Sequence, residues 1–257
     1  MFDKFSPKIR QWGGIFLLIT AAIWVWYNPD SLFEDEPRPL PNGQSATKQS
    51  KQPNPAGRKT GKVSNSETGF DFYVLALSWS PSFCATKKDQ ANYQCGGQRF
   101  FSFIVHGLWP QYEKGWPSFC DRNNENVPGR LANSMLDIMP GQGLIRHQWK
   151  KHGTCSGLNQ KDYFAKLRAA YEKIRFPAQY RLNNKYLTVS PAAVERAFQT
   201  ENPGLANNAI AVTCGKRRLK EVRICFSKSL EFRPCKEVDR QSCRKQKIIM
   251  PPVRASQ

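Results

Sequence analysis

Eight cysteines, and where they fall, constrain this chain more than anything else in it. Cys84, Cys95, Cys120, Cys155, Cys214, Cys225, Cys235 and Cys243 all lie between residues 84 and 243 of 257, and none precedes residue 84. An even set confined to one part of a chain reads as four disulfides formed in an oxidising compartment. Zinc is the competing reading, but no two of these cysteines have the Cys-x-x-Cys spacing usual in structural zinc sites. Many pairings of eight cysteines are possible, so connectivity stays open at this point.

The amino terminus supplies a route to such a compartment. Lys4, Lys8 and Arg10 precede residues 12–27, a stretch without charge. Basic residues ahead of an apolar run hold the start in the cytoplasm and send the chain beyond the run across the membrane. Residues 1–11 are therefore read as a cytoplasmic basic start and 12–27 as a signal-anchor or signal peptide. Trp12, Trp24, Trp26 and Tyr27 sit at the ends of the run, as interfacial aromatics do, and bulky side chains occupy the place of a small-x-small cleavage site. That favours a retained membrane tether, anchored in an inner membrane and facing the periplasm; cleavage would leave a periplasmic or secreted chain.

Residues 28–69 are rich in Pro, Asn, Gln, Ser, Lys and Gly, with almost no large apolar residue after Phe33. Such a stretch cannot bury enough apolar surface to offset its ordering entropy, so it is expected to be a flexible linker. Residues 70–257 remain as one folded domain, expected to be a monomer. They carry 30 basic against 14 acidic residues, a bias toward a polyanionic partner.

Within the domain, Phe70–Trp79 and Phe100–His106 are apolar, aromatic runs of strand length. Helical spacing covers Arg130–Met139 and Asp162–Arg175, and Ser190-Pro191 supplies a capping hydroxyl followed by proline at a first turn. Ala209–Thr213 and Leu219–Phe226 return to strand character. Strands and helices do not alternate regularly. The expected class is α+β, a mainly antiparallel sheet flanked by helices and stapled by disulfides.

All three histidines of the chain fall in two short segments. His106 lies in Phe103-Ile-Val-His-Gly-Leu-Trp-Pro110, and His147 and His152 in Arg146-His-Gln-Trp-Lys-Lys-His-Gly-Thr-Cys155. Wound as a helix, the second segment puts His147, Gln148, Lys151 and His152 on one arc, with Trp149 packing behind them. The two histidines are five residues apart, not the four that stacks metal ligands on a helical face, and no carboxylate partner lies in the segment. Imidazoles titrate near neutral pH and are the usual carriers of protons in catalysis. RNA brings its own nucleophile, the 2′-hydroxyl. Two histidines of opposite protonation state and a lysine supply the base, the acid and the positive charge that its cleavage needs. The product would be a 2′,3′-cyclic phosphate, later opened by water to a 3′-phosphate. A non-catalytic RNA- or envelope-binding module is the alternative from another class. No cofactor and no metal are called for.

The two segments, with the opening Phe72-Tyr-Val-Leu-Ala-Leu-Ser-Trp-Ser-Pro-Ser-Phe-Cys84 and the four-cysteine tail, resemble the ribonuclease T2 family of secreted endoribonucleases, over about residues 70–250. The resemblance implies an α+β fold and a metal-independent, two-histidine mechanism, with His152 as base, His106 as acid, His147 on the phosphate and Lys151 stabilising transition-state charge. It implies base-binding roles for Trp109 and Trp116. It also implies the pairings Cys84–Cys95, Cys120–Cys155, Cys214–Cys243 and Cys225–Cys235. One position departs: relatives usually have glutamate where this chain has Gln148. An amide keeps the shape but cannot ionise, and an active enzyme with an optimum nearer neutral is expected.

Overall fold

A computed structural model describes residues 69–86, 93–96, 99–181 and 183–253. The basic start, the candidate anchor 12–27 and all of the linker but Gly69 lie outside the described residues. Among those described, no helix is long and apolar enough to cross a membrane.

The centre is a four-stranded antiparallel sheet. Its strands are β1 (Phe72–Trp79), β2 (Phe103–Gln111), β4 (Ile210–Cys214) and β5 (Leu219–Phe226), set side by side in the order β2-β1-β5-β4. A separate pair, β3 (Leu187–Val189) and β6 (Ile248–Met250), is also antiparallel. β1 is buried at every position, because both faces of this interior strand are covered. Tyr73, Leu75, Leu77 and Trp79 enter the main core, which helices α3 (Gln142–Lys151), α4 (Gln160–Glu172) and α6 (Pro191–Glu201) help to build. Phe72, Val74 and Ala76 enter a smaller core on the other face, with Trp109, Ala211, Cys225, Cys235 and Val238. Period-two alternation divides β1 between these two cores. Helix α7 (Lys236–Arg240) supplies Val238 to the smaller one. Two short helices, α1 (Ser80–Cys84) and α5 (Ala178–Arg181), follow β1 and precede β3.

The expected elements hold with shifted bounds. Asn159 caps α4, its side chain accepting from the Asp162 N–H, and Ser190 caps α6 by accepting from Ala193 N–H, with Pro191 in the first turn. The helix anticipated over Arg130–Met139 is α2, Gly129–Asn133, alone. Beyond it the chain tightens into turns, Met135 N–H to Ala132 and Ile138 N–H to Met135, and the Ile138 carbonyl accepts from Val105 on β2 instead.

β2 starts three residues later than expected and runs through the whole first motif. Pro110 is tolerated because β2 is an edge strand, where a missing N–H breaks no ladder on the outer side. The disulfides are Cys84–Cys95, Cys120–Cys155, Cys214–Cys243 and Cys225–Cys235, the set the family resemblance implies.

Candidate active site

The site begins with a bulge. Ala76 pairs with Gly107 and Leu77 with Val105, which leaves His106 as the extra residue on β2. A bulge shifts the alternation of a strand by one and re-aims the side chains beyond it. Val105 and Leu108 accordingly both face the main core, and His106 and Trp109 meet on the opposite face, ring centroids 5.4 Å apart. Tyr163 of α4 pins the strand there, its hydroxyl donating to the Leu108 carbonyl at 2.8 Å.

On that face β1 presents the small residues Ala76 and Ser78, and β5, on its far side, presents Arg223 and Glu221 opposite them. His106 reaches across β1. Its Nδ1 lies 2.5 Å from Glu221 Oε1. The Glu221 carboxylate also accepts from Arg223, at 3.0 Å from Nε and 2.9 Å from Nη2, and Arg223 donates to Gln241 at 3.1 Å. Glu221 is 1% exposed. Burial alone would raise its carboxyl, but the Arg223 guanidinium and then the His106 hydrogen bond outweigh burial and hold it well below the usual carboxylate range. With Nδ1 engaged, Nε2 is the nitrogen His106 has for proton exchange. Glu221 and Arg223 were not anticipated. The strand Leu219–Phe226 is legible in the sequence, but nothing in its pattern singles out two of its charged side chains.

Helix α3 brings the second motif onto Trp109. Gln148 is buried, and its Oε1 accepts from Trp109 Nε1 at 2.8 Å. Gly107 makes room for this pair: a Cβ there would collide with the Gln148 amide and the indole nitrogen. α3 ends at Lys151, and His152 caps it at φ −120° and ψ −43°, off the helical arc. That turn lays the His152 imidazole on the Trp109 indole, centroids 5.3 Å apart and planes 26° from parallel. Trp149 packs behind against Tyr163, and a Cβ at Gly153 would strike both rings. Gln148 and His152 thus meet His106 around one indole, and Lys151 and His147 lie near enough for their charges to act on His152.

His152 is 1% exposed, and neither ring nitrogen has a hydrogen-bond partner among the described residues. Burial foremost, then the charges of Lys151, His106, His147 and Arg223, press its pKa well below the ordinary imidazole range. Both causes favour the neutral imidazole, the form a base requires.

The tryptophans assigned to base binding stand differently. Trp109 is 3% and Trp116 7% exposed. Trp109 is already stacked on His152, with the Arg223 guanidinium over its ring at 5.1 Å. Neither indole offers an open face to a base. The aromatic that does stand open at the site is Phe119, half exposed, its ring edge-on to His147 at 6.3 Å. Its φ of 52° is left-handed, a conformation bulky residues avoid. The Cys120–Cys155 disulfide and the Phe119 N–H, donating to the Lys151 carbonyl at 2.9 Å, hold it there. Among the described residues no group of three His, Cys, Asp or Glu side chains is arranged to hold a metal ion.

A disulfide-braced α+β domain with paired imidazoles on a bulged edge strand and a helix end is one class of protein. The family profile described as "Ribonuclease T2 family" matches residues 70–235, and the chain belongs to that family. It is 34% identical over 169 residues to a ribonuclease of Aeromonas hydrophila, covering 62% of this chain and 73% of that protein. It is 30% identical over 184 residues to a probable ribonuclease of Haemophilus influenzae, covering 66% of this chain and 63% of that protein. Among solved structures, an RNase-related protein from Calystegia sepium superposes with a TM-score of 0.58 at 23% identity, over 72% of this chain and 98% of that one. That likeness concerns the fold.

Proposed function

We propose that this chain is an endoribonuclease that cleaves single-stranded RNA by transesterification, without a metal ion or cofactor. The observation that carries the proposal is the contrast between two imidazoles on one indole: His152 buried with no hydrogen-bond partner among the described residues, His106 held through Nδ1 by the Glu221 carboxylate. His152 takes the proton of the 2′-hydroxyl, whose oxygen attacks phosphorus. His106 delivers a proton from Nε2 to the departing 5′-oxygen, with Glu221 opposite the imidazolium as a positioning residue. Lys151 and His147 bear on the phosphorane's negative charge. Gln148 fixes the Trp109 indole. The 2′,3′-cyclic phosphate is then hydrolysed with the two imidazoles exchanging roles. Access to His152 requires substrate to part it from the Trp109 stack, and Phe119 is the platform for a base beside His147.

The test uses the full chain, oxidatively folded, with a short RNA in excess EDTA. Cyclic phosphate ends from the parent and none from His152→Ala are expected. RNA bound but uncut across a wide pH range would leave a binding module in place of the enzyme.

We further read residues 12–27 as an export segment and tether, residues 28–69 as its linker, and 70–257 as one monomeric domain. The mass of the exported chain decides the first point: an intact amino terminus in the membrane fraction is expected, and loss of the segment would make the chain periplasmic or secreted.

A further inference from the structure

The turn from β4 to β5 carries Lys216, Arg217 and Arg218, and Lys220 comes at the start of β5. A second basic run, Arg244, Lys245 and Lys247, is fastened beside it. The Cys214–Cys243 disulfide joins the two bases, Ile249 N–H donates to the Arg217 carbonyl at 2.8 Å, and Arg218 and Ile249 form a parallel bridge. Seven cations share this edge of the domain, and neither 214–220 nor 243–250 contains an Asp or Glu. Lys216, Arg217, Arg244, Lys245 and Lys247 are exposed, and none of their side chains makes an ion pair among the described residues. Glu195, which accepts from Val212 N–H on the neighbouring strand, is half-buried and committed to that contact.

Cations gathered this closely repel one another, and the five exposed ones draw no ion pair among the described residues in return. The surface suits a flexible polyanion. Its apolar members, Leu219, Ile248 and Met250, are fully buried, so it lacks the apolar face that an interfacial membrane contact uses. It also lies at the start of the strand that carries Glu221. A strand advances ~3.3 Å per residue, so Arg218 stands roughly 10 Å along β5 from Glu221, the residue holding His106.

We propose that the Lys216–Lys220 turn and the Arg244–Lys247 segment form an exosite that binds the phosphodiester backbone of single-stranded RNA beyond the scissile phosphate. This rests on the endoribonuclease reading for its substrate. The exosite adds affinity for long strands and nothing for a dinucleotide, which cannot reach it.

The test compares the full chain with the combined variant Lys216→Gln, Arg217→Gln, Lys245→Gln, Lys247→Gln. Both are assayed on a long single-stranded RNA and on a dinucleoside monophosphate over a range of NaCl. Each phosphate contact contributes about 0.7 to the slope of log affinity against log salt for single strands. The slope for the long RNA should become shallower by up to about 3 in the variant, with kcat/KM down ~10-fold or more at low salt. On the dinucleotide kcat/KM should stay unchanged within twofold, and the thermal midpoint should hold. Equal losses on both substrates, or no loss on either, would overturn the proposal. So would lost binding to anionic phospholipid vesicles with RNA kinetics unaltered. If the parent binds RNA without cutting it, the endoribonuclease reading fails separately, and the exosite is judged by equilibrium binding of the long strand to parent and variant.

Discussion

Replacing Glu221 by glutamine keeps the shape of the side chain and removes one buried charge. In the native chain the carboxylate meets His106 Nδ1 at 2.5 Å and Arg223 at 2.9 and 3.0 Å. Two unit charges about 4 Å apart, at an effective dielectric of about 20, attract by ~4 kcal/mol. A glutamine carbonyl still accepts from Nδ1–H and recovers part of this. Losing the remainder, about 1.4–2.7 kcal/mol of the hold on the His106 ring, should lower kcat ~10- to 100-fold with KM for a dinucleotide unchanged. Stability falls too, because stripping one partner from a buried pair costs about 3–5 kcal/mol. The contact of Arg223 with Gln241 reduces that cost. The assay is therefore kcat and KM on a dinucleotide, normalised to folded protein. Glu221→Asp restores the charge at shorter reach and should return part of the rate. Rate lost only as folded protein is lost, with kcat per folded molecule unchanged, would refute the reasoning and leave Glu221 as a counter-ion for Arg223.

Gly107→Ala should cut turnover sharply at about 1–3 kcal/mol of destabilisation, because its Cβ must displace the Gln148–Trp109 hydrogen bond; near-native kcat with intact folding would contradict that packing. Gln148→Glu places a carboxylate beside the base, favours protonated His152, and should raise the acidic limb of the pH–rate profile; an unchanged curve counts against the electrostatic account. Phe119→Gly relieves a left-handed backbone and should raise the melting temperature. The same variant should raise KM for a dinucleotide by up to about a hundredfold at constant kcat, since stacking on an aromatic contributes about 1–3 kcal/mol per base. An unchanged KM would remove Phe119 from the substrate surface.

The histidines, Lys151 and Gln148 were legible because proton carriers and their neighbours cluster in sequence, and the strand Leu219–Phe226 because Leu219, Val222, Ile224 and Phe226 supply an apolar run that enters the main core. The bulge at His106 was not. Apolar alternation in Phe103–Leu108 gives no hint of an inserted residue, since the phase change arises from pairing with β1, a partner 30 residues earlier. The same applies to Glu221, whose contact with His106 depends on the small side chains that β1 sets between them. Trp109 and Trp116 show what a motif leaves out: both are buried, and Trp109 packs on His106 and His152. A tryptophan in a motif is as readily a wall for neighbouring side chains as a platform for a base, and its exposure is not written in the sequence.

The pH behaviour depends on which element carries which charge. His152 ends α3 with Lys151 beside it and His147, His106 and Arg223 nearby, so each neighbouring charge opposes its protonation, and burial opposes it further. Glu221, the carboxylate on that face, is already spent on Arg223 and His106. An amide at position 148 therefore leaves His152 with no anion to favour its charged form. Burial and these charges favour the neutral base. Gln148→Glu supplies an anion beside it and should raise the acidic limb, whereas Glu221→Gln acts from β5 on the rate that His106 carries. The two substitutions touch separate contacts and should act independently: the double variant should show the limb displacement of the first and the rate loss of the second. A double variant whose effects fall short of that sum would mean the two imidazoles work as one coupled pair.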